Sequence, residues 1–258
     1  MIGAIIGDIV GSVYEWEWIK TKSFEFFSDN GFVTDDSVCT AAVADALLHD
    51  RPPDLALQDW CRRYPDASYG GHFRSWIWMD PPRPYDSFGN GAAMRVSPAA
   101  YLNRNGDLSD VLEASDLVTA ITHNHPEGLK GARATVHAIW LAFQDEPAPA
   151  IRAAIAEAYD YDLSRSVDDI RPGYEFNEIC QDTVPEAITC ALESDSFEDA
   201  VRNAVSLGGD SDTLAAIAGP IAEALHGVPA QFQTEAEGRY IPEDILRIVR
   251  ELYGAESR

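Results

Sequence analysis

Apolar positions along this chain recur at helical spacing in nearly every segment. Val38, Ala41, Ala42, Ala46 and Leu48 share one helical face. Thr34 stands just ahead of them as an N-cap, with Asp35 and Asp36 in a first turn where acids suit the helix dipole. Residues 54–64 read as a short helix and 108–122 as an amphipathic one. Pro126 suits the first position of a helix reaching about Phe143, with Val136, Ile139, Trp140 and Phe143 on its apolar side. An alanine-rich helix covers 149–160, and another is expected from Pro185 to Leu192. Ser196 to Leu207 follows, with Ser196 and Asp199 in capping-box positions and Gly208-Gly209 as the stop. Thr213 to His226 contains Pro220, where a kink or break is expected. Pro242-Glu243-Asp244 opens a last helix over 242–253. No run alternates with strand period, so the pattern predicts an all-α protein. No linker divides it, which leaves one domain over residues 1–258.

Three stretches depart from the simple pattern. Gly3, Gly7 and Gly11 recur at four-residue spacing among Ile5, Ile6, Ile9 and Val10, which suggests a helical face closely approached by another helix. Pro65 to Gly91 is rich in proline, glycine and aromatics, including Trp76, Trp78, Tyr85 and Phe88. A long irregular segment of this kind is either functional or a loop whose tryptophans fill a satellite core. Tyr161 to Asn177, with Pro172-Gly173, reads as a second long loop.

Composition narrows the function classes. The hydrophobic fraction of 46% is that of a folded protein, but 43 acidic residues against 19 Lys plus Arg give a net charge of -24. Nonspecific attraction to nucleic acid or to an anionic membrane is therefore disfavoured. Cys39, Cys61, Cys180 and Cys190 form no Cys-x-x-Cys pair and read as buried free thiols, which fits a reducing compartment. Met1 to Val13 lacks a basic leader region and is interrupted by Asp8. No run reaches the roughly 18 apolar residues of a membrane span. A cytoplasmic monomer is the expectation.

Candidate chemistry centres on Gly208-Gly209-Asp210-Ser211-Asp212-Thr213. In a locally extended segment, side chains two positions apart fall on one side, so Asp210 and Asp212 can face a hard cation together. The competing reading is a helix stop followed by a cap. Thr34-Asp35-Asp36-Ser37 repeats the same chemistry at the head of another apolar helix. Two such helix starts brought together can share one or two divalent ions. Glu15 ends Gly11-Ser12-Val13-Tyr14-Glu15 and is either a solvated surface acid or part of that site. Gly89-Asn90-Gly91 leads a helix whose amides suit a phosphate, with a tight turn as the alternative. His123 and His125 lack a third histidine or nearby cysteine for zinc, which favours a hydrogen-bonding or substrate-contacting role for His123.

These motifs, taken in order from Gly7-Asp8 and Gly11–Glu15 through Phe88-Gly89-Asn90-Gly91-Ala92-Ala93-Met94-Arg95 and Thr122-His123 to Gly208–Thr213, resemble those of the ADP-ribosylglycohydrolase family. The resemblance spans nearly the whole chain. It implies an orthogonal helical bundle with a binuclear Mg²⁺ or Mn²⁺ site at the base of a cleft. Thr34, Asp35, Asp36, Asp210, Asp212 and Thr213 would be the metal ligands, and Glu15 or Asp36 the base. Gly89, Asn90, Gly91 and His123 would contact the substrate, and Phe88 or Tyr174 would stack on adenine. The implied reaction is metal-dependent hydrolysis of the bond between ADP-ribose and an acceptor, with ADP-ribosyl-arginine protein first. The alternatives are hydrolysis of a free derivative such as O-acetyl-ADP-ribose, or a non-catalytic ADP-ribose-binding or structural relative.

Overall fold

Every residue of the first helix is buried, and its glycines explain how. The computed structural model describes residues 1–254, which form fifteen helices. The first six are α1 (Ile2–Gly11), α2 (Asp35–Leu48), α3 (Pro53–Arg63), α4 (Gly71–Trp76), α5 (Gly91–Met94) and α6 (Ser97–Leu102). Then come α7 (Leu108–Thr119), α8 (Pro126–Phe143), α9 (Ala148–Tyr159), α10 (Val167–Ile170) and α11 (Cys180–Leu192). The last four are α12 (Phe197–Leu207), α13 (Ser211–His226), α14 (Ala230–Arg239) and α15 (Glu243–Gly254). The only β pairing among the described residues is an isolated antiparallel bridge, Gly89 to Ile179, which ties two loops together.

Helix α13 is the central post, packed by α1, α8, α11 and α12. A Cβ on Gly3 would lie 2.6 Å from the Gly219 carbonyl oxygen, one on Gly7 2.1 Å from that of Ala215, and one on Gly11 2.4 Å from Asp212 Cα. Only glycine permits that approach. The seam brings Asp8 of α1 beside the start of α13, although the two lie far apart in sequence.

Short helices α4 and α10 form inside the two segments read as irregular, α6 is unexpected, and four longer elements also differ from expectation. Helix α11 begins at Cys180 and runs through Pro185. The proline falls just past the first turn, so it deprives only the Gln181 carbonyl of an intrahelical donor. Pro220 breaks nothing either: α13 is buried on every side through Ala222, and packing overrides the missing bond. Helix α14 has only Ala236 buried, and its polar sequence gives no apolar period to read. Helix α7 stops at Thr119, and a turn carries the chain to His123.

The 65–91 stretch packs part of its aromatic content into the core. Phe73 and Trp76 stack with centroids 5.4 Å apart and pack into the core, whereas Trp78 is exposed. Among the described residues all four cysteines are free and buried, with Cys39 and Cys61 sulfurs 3.9 Å apart. No described helix is long and apolar enough to cross a membrane.

Candidate metal centre and substrate cleft

The amino-terminal end of α2 is fixed by an acid from α1. Asp8 accepts hydrogen bonds from Thr34 N (2.9 Å), Thr34 Oγ1 (2.7 Å), Ser37 N (3.1 Å) and the Ser37 hydroxyl. Thr34 also caps α2, its Oγ1 accepting from Asp36 N at 3.2 Å. These bonds hold Asp36 with one carboxylate oxygen, Oδ1, buried and without a hydrogen-bond partner. Its other oxygen accepts from Thr213 Oγ1 at 3.4 Å, joining the α2 and α13 starts.

Gly208 and Gly209 both take φ +73°, which turns the chain into α13 with Asp210 at the corner. Asp210 accepts from Asn90 Nδ2 at 2.6 Å, and Asp212 Oδ1 accepts from Thr213 N at 3.0 Å. Ser211 Oγ donates to Tyr14 O at 3.1 Å, anchoring the loop that delivers Glu15. Two sets of carboxylate oxygens result, each gathered within 4.8 Å: Asp8, Asp36 and Asp212, and Glu15, Asp210 and Asp212. Asp212 belongs to both. Asp35, at the rim of the cluster, also lines the cleft.

So many acids in one place raise one another's pKa. Burial is the first cause throughout. It pushes Asp8 up to about 6, Asp210 to about 7 and Glu15 to about 8, the last helped by Asp212 and Glu178. Asp35, Asp36 and Asp212 are raised well above the usual carboxylate range by burial and by their neighbours. The donor set is all oxygen, and a hard divalent cation would satisfy both the repulsion and the orphaned Asp36 oxygen.

The opposite wall of the cleft is basic and rich in donors. Arg95, almost fully buried, donates from Nη2 to Thr122 Oγ1 at 2.6 Å. That hydroxyl lies 2.8 Å from His123 Nδ1, and Arg95 Nη2, which can only donate, lies 3.4 Å from the same nitrogen; an accepting Nδ1, with the proton on Nε2, satisfies both. Burial, then Arg95, keep His123 well below its ordinary pKa and therefore neutral. Its Nε2 faces the Gly89–Gly91 turn, 3.3 Å from where a Gly91 Cβ would stand. Asn90 N donates to Glu178 O at 2.8 Å, so the turn is braced by the loop segment just before α11. The cleft holds about 880 Å³, including its open mouth.

Of the sequence-predicted site residues, Glu15, Asp35, Asp36, Gly89, Asn90, Gly91, His123, Asp210, Asp212 and Thr213 line this one cleft. Thr34 lies behind it, its hydroxyl committed to Asp8 and to the cap. Phe88 is at the surface, its ring 5.2 Å from that of His125. Tyr174 packs into the core at 8% exposure and is not among the residues that line the cleft. Phe73 and Tyr85 supply the cleft's aromatic surface instead. Sequence reasoning missed Asp8, Arg95 and Glu178 as site residues; Asp8 and Arg95 were part of the motifs but gave no local sign of a role.

An all-α bundle whose central helix and first helices deliver acids to one cleft, shared with Arg95 and His123, defines a helical scaffold with a candidate divalent-cation site. The family model described as ADP-ribosylglycohydrolase matches residues 1–258, and the chain belongs to that family. It is similar to ADP-ribosylarginine hydrolase Tri1 of Pseudomonas putida (strain GB-1), 26% identical, covering 98% of this chain and 76% of the relative. ADP-ribosylhydrolase ARH3 of Xenopus tropicalis is 23% identical over 98% of this chain and 94% of its own length, and that of Homo sapiens 26% over 95% and 90%. A solved structure titled "ADP-ribosylglycohydrolase-related protein complex" shares the fold with a TM-score of 0.73 at 22% identity, over 98% of this chain and 94% of that one. The expected all-α fold and glycohydrolase class both hold.

Proposed function

We propose that this chain removes ADP-ribose from an arginine side chain by hydrolysis that depends on two divalent ions, Mg²⁺ or Mn²⁺. The observation that carries the reading is the convergence of Glu15, Asp36, Asp210 and Asp212 on one face of a cleft whose other face holds Arg95 and His123. The similarity to an ADP-ribosylarginine hydrolase supports arginine as the acceptor. Asp35, Asp36, Asp210, Asp212 and Thr213 would hold the ions, with Thr34 positioning Asp36 from behind, and the sharing of Asp212 between two acid sets favours two of them. Bound there, such ions polarise ribose hydroxyls and water and offset developing charge.

The chain's own groups do the rest. Cleavage at the anomeric carbon passes through an oxocarbenium-like state, which needs a water held on one face and a base to take its proton. Glu15 is the better placed base, because it projects into the cleft while Asp36 is enclosed between α2 and α13. His123, neutral with its proton on Nε2, donates to a ribose or phosphate oxygen. The Gly91 amide and the positive field of Arg95 suit the diphosphate, while the Gly89 and Asn90 amides are spent on Ser87 and Glu178 and the Asn90 side chain holds Asp210 in place. Buried free thiols support a reducing, cytoplasmic setting.

The test is release of ADP-ribose from arginine-, serine- and nucleobase-linked substrates with Mg²⁺, Mn²⁺ or EDTA. Arginine-linked substrate should be cleaved only with metal, and Asp212→Ala should lower the rate about 10²-fold or more. Release that survives EDTA, or ADP-ribose binding without turnover of any linkage, would overturn the reading.

A further inference from the structure

Trp16 is the most exposed of the large apolar side chains, at 73%, and it directly follows Glu15. Its ring stacks on Phe176 with centroids 5.5 Å apart and an interplanar angle of 24°. Phe176 belongs to the segment that delivers Glu178 to the cleft lining. That segment presses on the turn before Asp210: a Cβ on Gly209 would stand 3.0 Å from Phe176 Cα. Lys20 holds the two loops together by donating to the carbonyls of Tyr174 and Leu207. The stacked pair therefore lies beside the cleft lining, between the two loops that supply Glu15 and Glu178.

The cleft is polarised. Arg95 and His123 stand at one end and Glu15 at the other, with the Gly89–Gly91 turn between them, Gly91 against His123 and Asn90 bonded to Asp210 and to the Glu178 carbonyl. With the diphosphate held at the Arg95–His123 end, the group leaving the anomeric carbon would emerge toward the Glu15 end. An indole with one face backed by Phe176 and the other open to solvent, flanked by carboxylates, suits a flat cation. Stacking on tryptophan with acids nearby favours a guanidinium over an ammonium or a neutral hydroxyl.

Resting on the arginine reading above, we propose that Trp16, backed by Phe176, is the platform that recognises the guanidinium of the acceptor and sets linkage preference. Glu178 is the carboxylate that faces the same group. Because the platform touches the acceptor and not the ADP-ribose, its loss acts on the intact substrate more than on the product.

The experiment compares wild type, Trp16→Ala, Trp16→Phe and Phe176→Ala, loaded with Mg²⁺. It measures kcat/KM on an arginine-ADP-ribosylated peptide and, in parallel, the Kd for free ADP-ribose. The expected result for Trp16→Ala is a fall of about 10-fold in kcat/KM, carried mainly by KM, with ADP-ribose affinity changed less than threefold. Trp16→Phe should recover most of the loss, and Phe176→Ala should show part of it. Equal losses in Trp16→Ala and Trp16→Phe would assign the effect to the indole N–H acting on Glu15, and overturn the platform. So would wild-type kcat/KM in Trp16→Ala, or an equal loss of ADP-ribose affinity. If wild type fails to cleave arginine-linked substrate at all, the functional reading fails first, and that outcome is recognised before any variant is compared.

Discussion

At the scale of residues, the most informative feature is a set of buried acids whose pKa values are raised together. A carboxylate that titrates higher in the folded chain than in the unfolded one favours folding below the ordinary range near 4, and that contribution disappears as pH rises through the folded value. With Asp8 at about 6, Asp210 at about 7 and Glu15 at about 8, the metal-free protein loses stability from about pH 4 up to about pH 8. Divalent ions oppose the same repulsion. Thermal unfolding in EDTA and in Mg²⁺ or Mn²⁺ should therefore show a metal-dependent rise in Tm that widens as pH increases; a gap that narrows would mean the acids do not share a cation. Asp36 and Asp212 were legible because each also serves a helix start, a local role with a local signature. Asp8 was not, because it reads as an interruption of an apolar run and its partners Thr34 and Ser37 lie 26 and 29 residues away.

Among elements, the contact between α1 and α13 governs whether the site forms at all. Gly7→Ala would place a Cβ 2.1 Å from the Ala215 carbonyl oxygen, a clash with backbone rather than with a side chain that can turn aside. Such overpacking costs about 3 kcal/mol or more. In a domain of this size that lowers Tm by about 6 °C or more, and Asp8 and Asp212 would separate with it. Gly238→Ala, on the exposed helix α14 with nothing within 4 Å of the new methyl, should leave Tm unchanged or slightly raised. Scanning calorimetry of both variants checks the contrast, and equal melting points would remove the seam from the account. The glycine spacing was readable as a close helix approach, but not which helix approaches. Caps at Thr34 and Ser196 were readable for the same reason, since each bonds within its own first turn. Helix α14 and the first turn of α11 were hidden, one by a polar sequence without period and the other by a proline that packing tolerates.

For the whole molecule, a net charge of -24 means that long-range repulsion works against both folding and the approach of an anionic substrate. Added salt shortens the reach of that repulsion to about 10 Å at 0.1 M. Raising KCl from about 20 to 200 mM at constant Mg²⁺ should raise Tm and raise kcat/KM for a diphosphate-bearing substrate. A fall in both would show that local attractive pairs outweigh the global field. Net charge was available from composition alone, whereas its polarity within the cleft, acids on one wall and Arg95 on the other, required the fold.

The α2 and α13 starts also meet late in the life of the chain. Thr213 reaches Asp36 across 177 residues of sequence. At about 5–20 residues per second, a ribosome needs on the order of ten seconds or more between making the two. During that interval the amino-terminal acids have neither their partner carboxylates nor the central helix that buries them. Helix α1, apolar and narrow, waits with its glycine face uncovered. Nascent chains halted before residue 211 should hold on to a chaperone and ignore divalent ions, and both properties should reverse once α13 has left the exit tunnel.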